Sequence, residues 1–353
     1  MNMKKIAELA GVSRSTVSHV LHGRTHKMTR ETLERVRRVI EENNYVPNMG
    51  GRMFAKYGSK IIGVVINYDI RDEVDVLQDP FFSKIISTLE HEIRTNGYFM
   101  MLYISKDVEE SLRMARSWNV EALISVGGWT EAHISAGVAG VYDLHRLMEG
   151  TVDANIPLVY IDAYFPDEDF PYINVGLEDW QGGYIMTEYL INRGHRKIAF
   201  LGDTEGPVTV GYAREQGCKA ALEARSLSFL PEDYINLSRY PDERQKILKN
   251  LAKEGFRGHT ALFFTSDYLA ANAINLFRDE GIGVPQDISV CGFDDFIFAT
   301  ESRPRLTTVR QDVSQKAFHA VQQALALIRK EEISEKNIRL PVSLVIRDSV
   351  AAL

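Results

Sequence analysis

Cysteine is nearly absent, with Cys218 and Cys291 the two in 353 residues. That number excludes a disulfide framework, and the pair has no metal-ligand spacing, so both are expected to be buried and inert in a reducing compartment. No apolar run approaches the roughly 20 residues that a membrane span needs. The opening Met1-Asn2-Met3-Lys4-Lys5 leads into a short apolar patch rather than a secretory signal, so a cytoplasmic protein is expected. Asn236-Leu237-Ser238 fits a glycosylation pattern, which reads as chance in that setting. Signatures of catalysis are missing as well. There is no GxxxxGK phosphate loop, no HExxH, no GxSxG elbow and no GxGxxG after a strand. Asp294 and Asp295 are adjacent, which usually turns two side chains opposite ways, so no enzyme, cofactor or metal is expected.

What is present is ordinary in amount and uneven in distribution. Hydrophobic residues make up 45% and charged residues 25%, values of a soluble globular chain long enough for two or three cores. Residues 1–60 hold 12 Lys/Arg against 5 Asp/Glu, while the rest holds 29 against 43. A basic head on an acidic body is the electrostatic footprint of a phosphate-backbone partner, because bound phosphates release their condensed counterions. A solvated basic face would give the same count, so the charge needs a fold beside it.

The head supplies one. Lys4 to Ala10 reads as a short helix with Ile6, Leu9 and Ala10 on one face, and Gly11 suits the left-handed position after its end. Ser13 can cap a second helix in which Val17, Val20 and Leu21 recur at helical spacing. A third begins at Met28-Thr29, with Leu33, Val36 and Ile40 as its buried stripe, and Asn43-Asn44-Tyr45-Val46-Pro47 stops it. Two helices joined by a tight Gly-Val turn and propped by a third form a helix-turn-helix, whose second helix lies in the major groove. Its outward face carries Arg14, Ser15, Ser18 and His19. Arg14 has the fork geometry for a guanine edge, and the hydroxyls of Ser13, Thr16 and Ser18 suit phosphates.

These residues carry a resemblance. Ile6-Ala7-Glu8-Leu9-Ala10-Gly11-Val12-Ser13, Thr16-Val17-Ser18, Val20-Leu21 and Tyr45-Val46-Pro47-Asn48 are similar to the lactose-repressor/galactose-repressor (LacI/GalR) family of transcriptional regulators. It continues in family order through Asp79-Pro80-Phe81-Phe82, Arg193-Gly194-His195, Ser266-Asp267, Gly292-Phe293-Asp294-Asp295 and Leu306-Thr307-Thr308-Val309. The resemblance implies a DNA-binding domain over 1–47 and a hinge over 48–59 that becomes helical on DNA. Phe54 would then be the apolar wedge in the minor groove, with Arg52 and Met53 beside it. Gly50 and Gly51 depart from the family's alanine-rich hinge and disfavour that helix by up to about 1 kcal/mol each. His19 and His22 depart from the commoner Arg and Asn, so the operator is expected to differ from those of better-known relatives.

From residue 60 onward, short apolar runs alternate with helical patterns in two blocks. That rhythm argues for right-handed βαβ units and two doubly wound parallel sheets, with a ligand cleft between them at the strand carboxyl ends. The resemblance adds that these lobes are of the periplasmic-binding-protein type. It implies chain crossings near 162, 292 and 322, one lobe over 60–162 and 293–322, and the other over 163–292 and 323–353. The effector contacts it implies are Asp79, Phe81, Phe82, Asp162, Arg214, Ser266, Asp294 and Gln311, with Tyr240 as an aromatic wall. Carboxylates and Arg suit vicinal hydroxyls, and aromatic rings suit the apolar face of a sugar. Asp79, Ala163 and Ser266 replace the family's Asn, Arg and Asn, so an altered or larger effector is expected.

The function expected is that of a sequence-specific DNA-binding regulator, most simply a repressor. It would act as a homodimer on a pseudo-palindromic duplex, and a sugar or sugar derivative would control its affinity. The alternative is a solute-binding protein of a transport system, which shares the body but has neither the basic head nor a missing signal peptide. Whether the effector induces or corepresses stays open.

Overall fold

The structure is a computed structural model, and it describes residues 2–21, 24–26, 28–43, 58–66, 76–105, 107–127, 139–163, 172–202, 209–238 and 240–353. The chain divides into two compact units, Met1–Ser59 and Lys60–Leu353. His22, Arg52, Phe54 and most of the expected hinge lie outside the described residues.

The head is built by its caps. Helices α1 (Met3–Ala10), α2 (Arg14–Leu21) and α3 (Arg30–Glu42) start at Asn2, Ser13 and Thr29. Each of these side chains accepts a hydrogen bond from a backbone N–H of the first turn. Such caps contribute about 0.5–2 kcal/mol apiece. Gly11, at φ 63°, ends α1 in the left-handed conformation that a side chain would disfavour. Ile6, Ala7, Ala10, Val17, Val20 and Val36 form the buried core, with Leu33 and Ile40 partly buried around it. Leu9, expected on that face, is 50% exposed. The buried stripe of α1 is centred on Met3, Ile6, Ala7 and Ala10, and Leu9 falls one helical step outside it.

The body holds two parallel sheets. Among the described residues the first has the order β11-β5-β4-β3-β1-β2, from Asn337–Leu340, Asn174–Leu177, Leu158–Ile161, Ala122–Val126, Ile61–Ile66 and Phe99–Ile104. The second has the order β7-β6-β8-β9, from Tyr234–Asn236, Ile198–Gly202, Ala261–Phe264 and Ser289–Cys291. β10 (Thr308–Arg310) and β12 (Ser343–Val345) pair antiparallel and reach the second sheet through bridges at Cys291–Thr307 and Asp294–Arg310. β3, β6 and β8 are buried along their whole length, as strands covered by helices on both faces must be. The covering helices are α4 (Pro80–Thr95), α5 (Val108–Ser117), α6 (Ala139–Asp153), α7 (Asp179–Asn192), α8 (Val210–Glu223), α9 (Pro241–Lys253), α10 (Asp267–Asp279), α11 (Ile297–Glu301) and α12 (Val313–Arg329).

The lobe crossings differ from those expected near 162, 292 and 322. β5 pairs with β4 in the first sheet, Ile161 opposite Val175, so the chain leaves that lobe only after Leu177. Residues 293–310 stay with the second lobe, because Asp294 donates its N–H to the Val309 carbonyl and bridges Arg310. α12 packs on α4 and on the first sheet, and β11 extends that sheet beside β5. The first lobe is therefore 60–177 with 313–340, and the second is 179–310 with 343–353. The physical reason is edge pairing. β5 and β11 bury Val175, Leu177 and Leu340 only by adding to the first sheet.

α7 and α8 meet backbone to backbone. A Cβ on Gly183 would stand 1.9 Å from the Arg214 carbonyl oxygen, and one on Gly217 would stand 1.9 Å from that of Trp180. Neither atom is the end of a flexible side chain, so the helices themselves would have to part. Gly183→Ala is expected to cost about 1–3 kcal/mol of stability in urea unfolding, the range of overpacking. Gly97→Ala serves as a control of a different kind, since that site has open space and its cost is the strain of φ 78° alone.

Candidate DNA-reading face and inter-lobe site

Helix α2 turns Val17 and Val20 into the head core and leaves Arg14, Ser15 and His19 exposed, with Ser18 half-buried. Ser13 Oγ accepts from the Thr16 N–H at 3.1 Å and contacts the hydroxyls of Ser15 and Thr16 at 2.7 and 2.8 Å. The start of α2 thus presents a small hydroxyl cluster, with no acidic residue in its first turn. Arg14 and His19 make no side-chain hydrogen bond or ion pair among the described residues, which leaves their donors available.

In the body, the strand ends converge on one buried chain of polar groups. Asp162 follows β4 at φ 58°, and Asp294 follows β9 at φ 119°. Non-glycine residues in such conformations are held there by their surroundings. Lys316, in the first turns of α12, donates to both oxygens of Asp162 at 2.8 and 2.7 Å and to Gln311 Oε1 at 3.1 Å. Gln311, where the chain returns to the first lobe, donates from Nε2 to Asp294 Oδ1 at 2.6 Å. Arg214 Nη1 lies 3.9 Å from the same oxygen. The Arg214 guanidinium stacks 3.5 Å over the Phe293 ring, and it donates from Nε to Asp179 at 2.7 Å and from Nη1 to the Thr265 carbonyl at 2.6 Å. The sequence Asp162, Lys316, Gln311, Asp294, Arg214, Asp179 therefore runs from one lobe to the other. Asp267 lies alongside, accepting from Thr308 Oγ1 at 2.6 Å and from the Phe296 N–H at 3.0 Å.

Burial dominates the electrostatics. It pushes the Asp294 carboxyl up to about 7; Arg214, Gln311 and Lys316 pull it down, and Asp79 adds to the rise. Asp267 is driven well above the carboxylate range by burial and then by the charge of Asp294. Asp162 is also raised by burial, against the pull of Lys316. Asp79 caps α4 through Oδ1, accepting from the N–H groups of Phe81 and Phe82 at 2.8 and 3.2 Å, and burial still lifts it. Beside it, Gln78, Pro80, Ser83 and Lys84 of one lobe and Phe296, Ile297 and Phe298 of the other frame a groove of about 420 Å³.

Of the residues expected at this site, Asp79, Asp162, Arg214, Asp294 and Gln311 are brought together. Phe81 joins them through Lys316, whose ammonium stands 5.1 Å from its ring centre, while Phe82 meets Phe81 edge-on at 5.4 Å. Ser266 caps α10, its Oγ accepting from the Leu269 N–H at 3.3 Å. Tyr240 is 43% exposed at the start of α9, and among the described residues no hydrogen bond or ring contact joins it to the polar chain. Lys316, Asp179 and Asp267 were not anticipated. For Lys316 a signal existed: it falls on the apolar stripe of Val313, Ala317, Ala320 and Val321, where a lysine must find a partner. Among the described residues no group of three or more His, Cys, Asp or Glu could hold a metal, and no helix is long and apolar enough to cross a membrane.

Comparison with known proteins fits both halves of this geometry. Residues 2–48 match the profile of bacterial regulatory proteins, lacI family, and residues 187–350 match that of the periplasmic binding protein-like domain. The ribose operon repressor of Haemophilus influenzae is 28% identical, over 99% of both chains. The transcriptional repressor PurR of Pasteurella multocida is 29% identical, over 99% of this chain and 98% of that one. Among solved structures, the Lac repressor dimer bound to operator and the anti-inducer ONPF superposes with a TM-score of 0.82 at 23% identity, covering 100% of this chain and 99% of that one. The chain thus carries a helix-turn-helix domain of the lacI family of bacterial regulatory proteins over residues 2–48 and a periplasmic-binding-protein-like domain over residues 187–350.

Proposed function

We propose that this regulator is a cytoplasmic homodimeric repressor whose hold on a pseudo-palindromic operator is set by a small, hydroxyl-rich effector, a sugar or sugar derivative, bound between its lobes. The single observation that carries this reading is the buried polar chain from Asp162 to Asp179. It places charged donors and acceptors at the carboxyl ends of β4 and β9, where ligands of doubly wound sheets bind. The name of one relative, a ribose operon repressor, agrees with a carbohydrate. A transport solute-binding protein would have no use for the lacI-type head. The domains are then 1–47 for DNA, 48–59 for the hinge and 60–353 for effector and dimer contacts. Arg52, Phe54 and His22 would complete the DNA surface begun by Ser13, Arg14, Ser15, Thr16, Ser18 and His19.

Thermal unfolding against a panel of monosaccharides, disaccharides, sugar phosphates and nucleobases tests the sensor half. A ligand at 100 times its dissociation constant adds about 2.7 kcal/mol. A sugar that stabilises the wild type but not Arg214→Ala supports the reading, and silence from every sugar contradicts it. For the head, Arg14→Ala is expected to cost about 1–3 kcal/mol of binding to a duplex selected by the protein and to relax the choice of base at one position per half-site. Uniform weakening over all sequences would instead make Arg14 a phosphate contact.

A further inference from the structure

Lys316 is the buried charge for which the expected effector contacts give no account. Its side chain is 1% exposed, and its three ammonium protons are taken by the two oxygens of Asp162 and by Oε1 of Gln311. An ammonium cannot accept a hydrogen bond, so the Gln311 atom facing it has to be the carbonyl oxygen. The amide nitrogen is thereby turned the other way, toward Asp294 Oδ1 at 2.6 Å. Gln311 has no freedom to flip while Lys316 is in place.

We propose that Lys316 is a positioning residue for effector selectivity: by fixing the Gln311 amide it holds Asp294 as an ionised acceptor, so that the cleft takes ligands donating a hydroxyl or N–H there and rejects those presenting a carbonyl, carboxylate or phosphate oxygen. The inference rests on the cleft being the effector site. The groups facing Asp294 make its state sensitive to one hydrogen bond. Arg214 and Lys316 favour the carboxylate, while Asp79, Asp267 and burial favour the acid, and the balance lies at about 7. Without Lys316 one cation is lost and Gln311 can present its oxygen to a protonated Asp294. The acid becomes the satisfied form, its one O–H given to Gln311, and the ligand then meets a neutral carbonyl oxygen in place of a carboxylate.

The test needs no effector. Because the folded pKa of Asp294 is raised above its ordinary value, the stability it contributes is full below about pH 4 and lost as pH rises through about 7. Urea unfolding of the full-length protein from pH 5 to 9, compared with Asp294→Asn, gives that midpoint. In Lys316→Met the midpoint is expected to move up by about one pH unit, a tenfold gain in proton affinity. Lys316→Arg, which still donates to the Gln311 oxygen, restores it. Should Lys316→Met fail to fold, Lys316→Met with Asp162→Asn removes both charges and carries the same measurement. An unchanged midpoint, with lowered stability alone, would make Lys316 merely structural and overturn the proposal. A silent ligand panel would touch the cleft reading and leave this titration result standing.

Discussion

Asp162→Ala destabilises the body by about 3–5 kcal/mol, the cost of leaving a buried charge without its partner. Asp162 is 7% exposed and takes two of the three protons of an ammonium that is itself buried. Removing the carboxylate leaves Lys316 with Gln311 Oε1 at 3.1 Å and the Phe81 ring at 5.1 Å, neither of which replaces an anion. Replacing the pair together, Asp162→Leu with Lys316→Met, is expected to recover most of the loss, because a desolvated ion pair is worth little more than apolar groups of similar volume. Urea unfolding of the single and double variants measures the coupling directly. A single variant within 1 kcal/mol of wild type would mean that the pair is hydrated in solution. That would remove the basis for a fixed bridge between the lobes.

Ile6→Ala abolishes operator binding while leaving the body folded. Ile6 is fully buried in a core whose other buried apolar residues, among those described, are Ala7, Ala10, Val17, Val20 and Val36. A buried Ile→Ala change costs about 2–5 kcal/mol, and a module this small has little more than that to lose. The helix that carries Arg14 and His19 is held by Val17 and Val20 against the same side chain's cluster, so its loss unlocks the reading face without touching a base contact. The expected result is that the helical signal of the head disappears and the body's unfolding transition is unchanged. Retained binding would mean that DNA supplies the folding energy the core has lost. Leu9→Ala, at a site half exposed to solvent, should change neither readout by more than about 0.5 kcal/mol.

The parts legible in the sequence were those set by neighbours in the chain. The Ser13 and Thr29 caps, the left-handed Gly11 and the inward Val17 and Val20 all follow from spacing within a turn or two, and the structure has them. The alternation of apolar runs and helices likewise predicted parallel sheets, because strands such as β3 and β6 are buried on both faces and cannot alternate in polarity. What was not legible depended on partners far along the chain. β5 and β11 are short, and which lobe they join is decided by edges formed elsewhere. Lys316 and Asp162 stand 154 residues apart, so nothing local announces the pair. Asp267 was visible as part of a motif, but its burial beside Thr308 was not.

A ligand between the lobes is expected to change the grip of the head on DNA. The most direct measurement is the affinity of the full-length protein for a duplex it has itself selected, by fluorescence anisotropy, with and without the sugar that raises its unfolding temperature. A change of about 5–150-fold is expected, matched by an equal effect of the duplex on sugar affinity and lost in Asp294→Ala. A sugar that binds in the cleft yet leaves duplex affinity unaltered would contradict it.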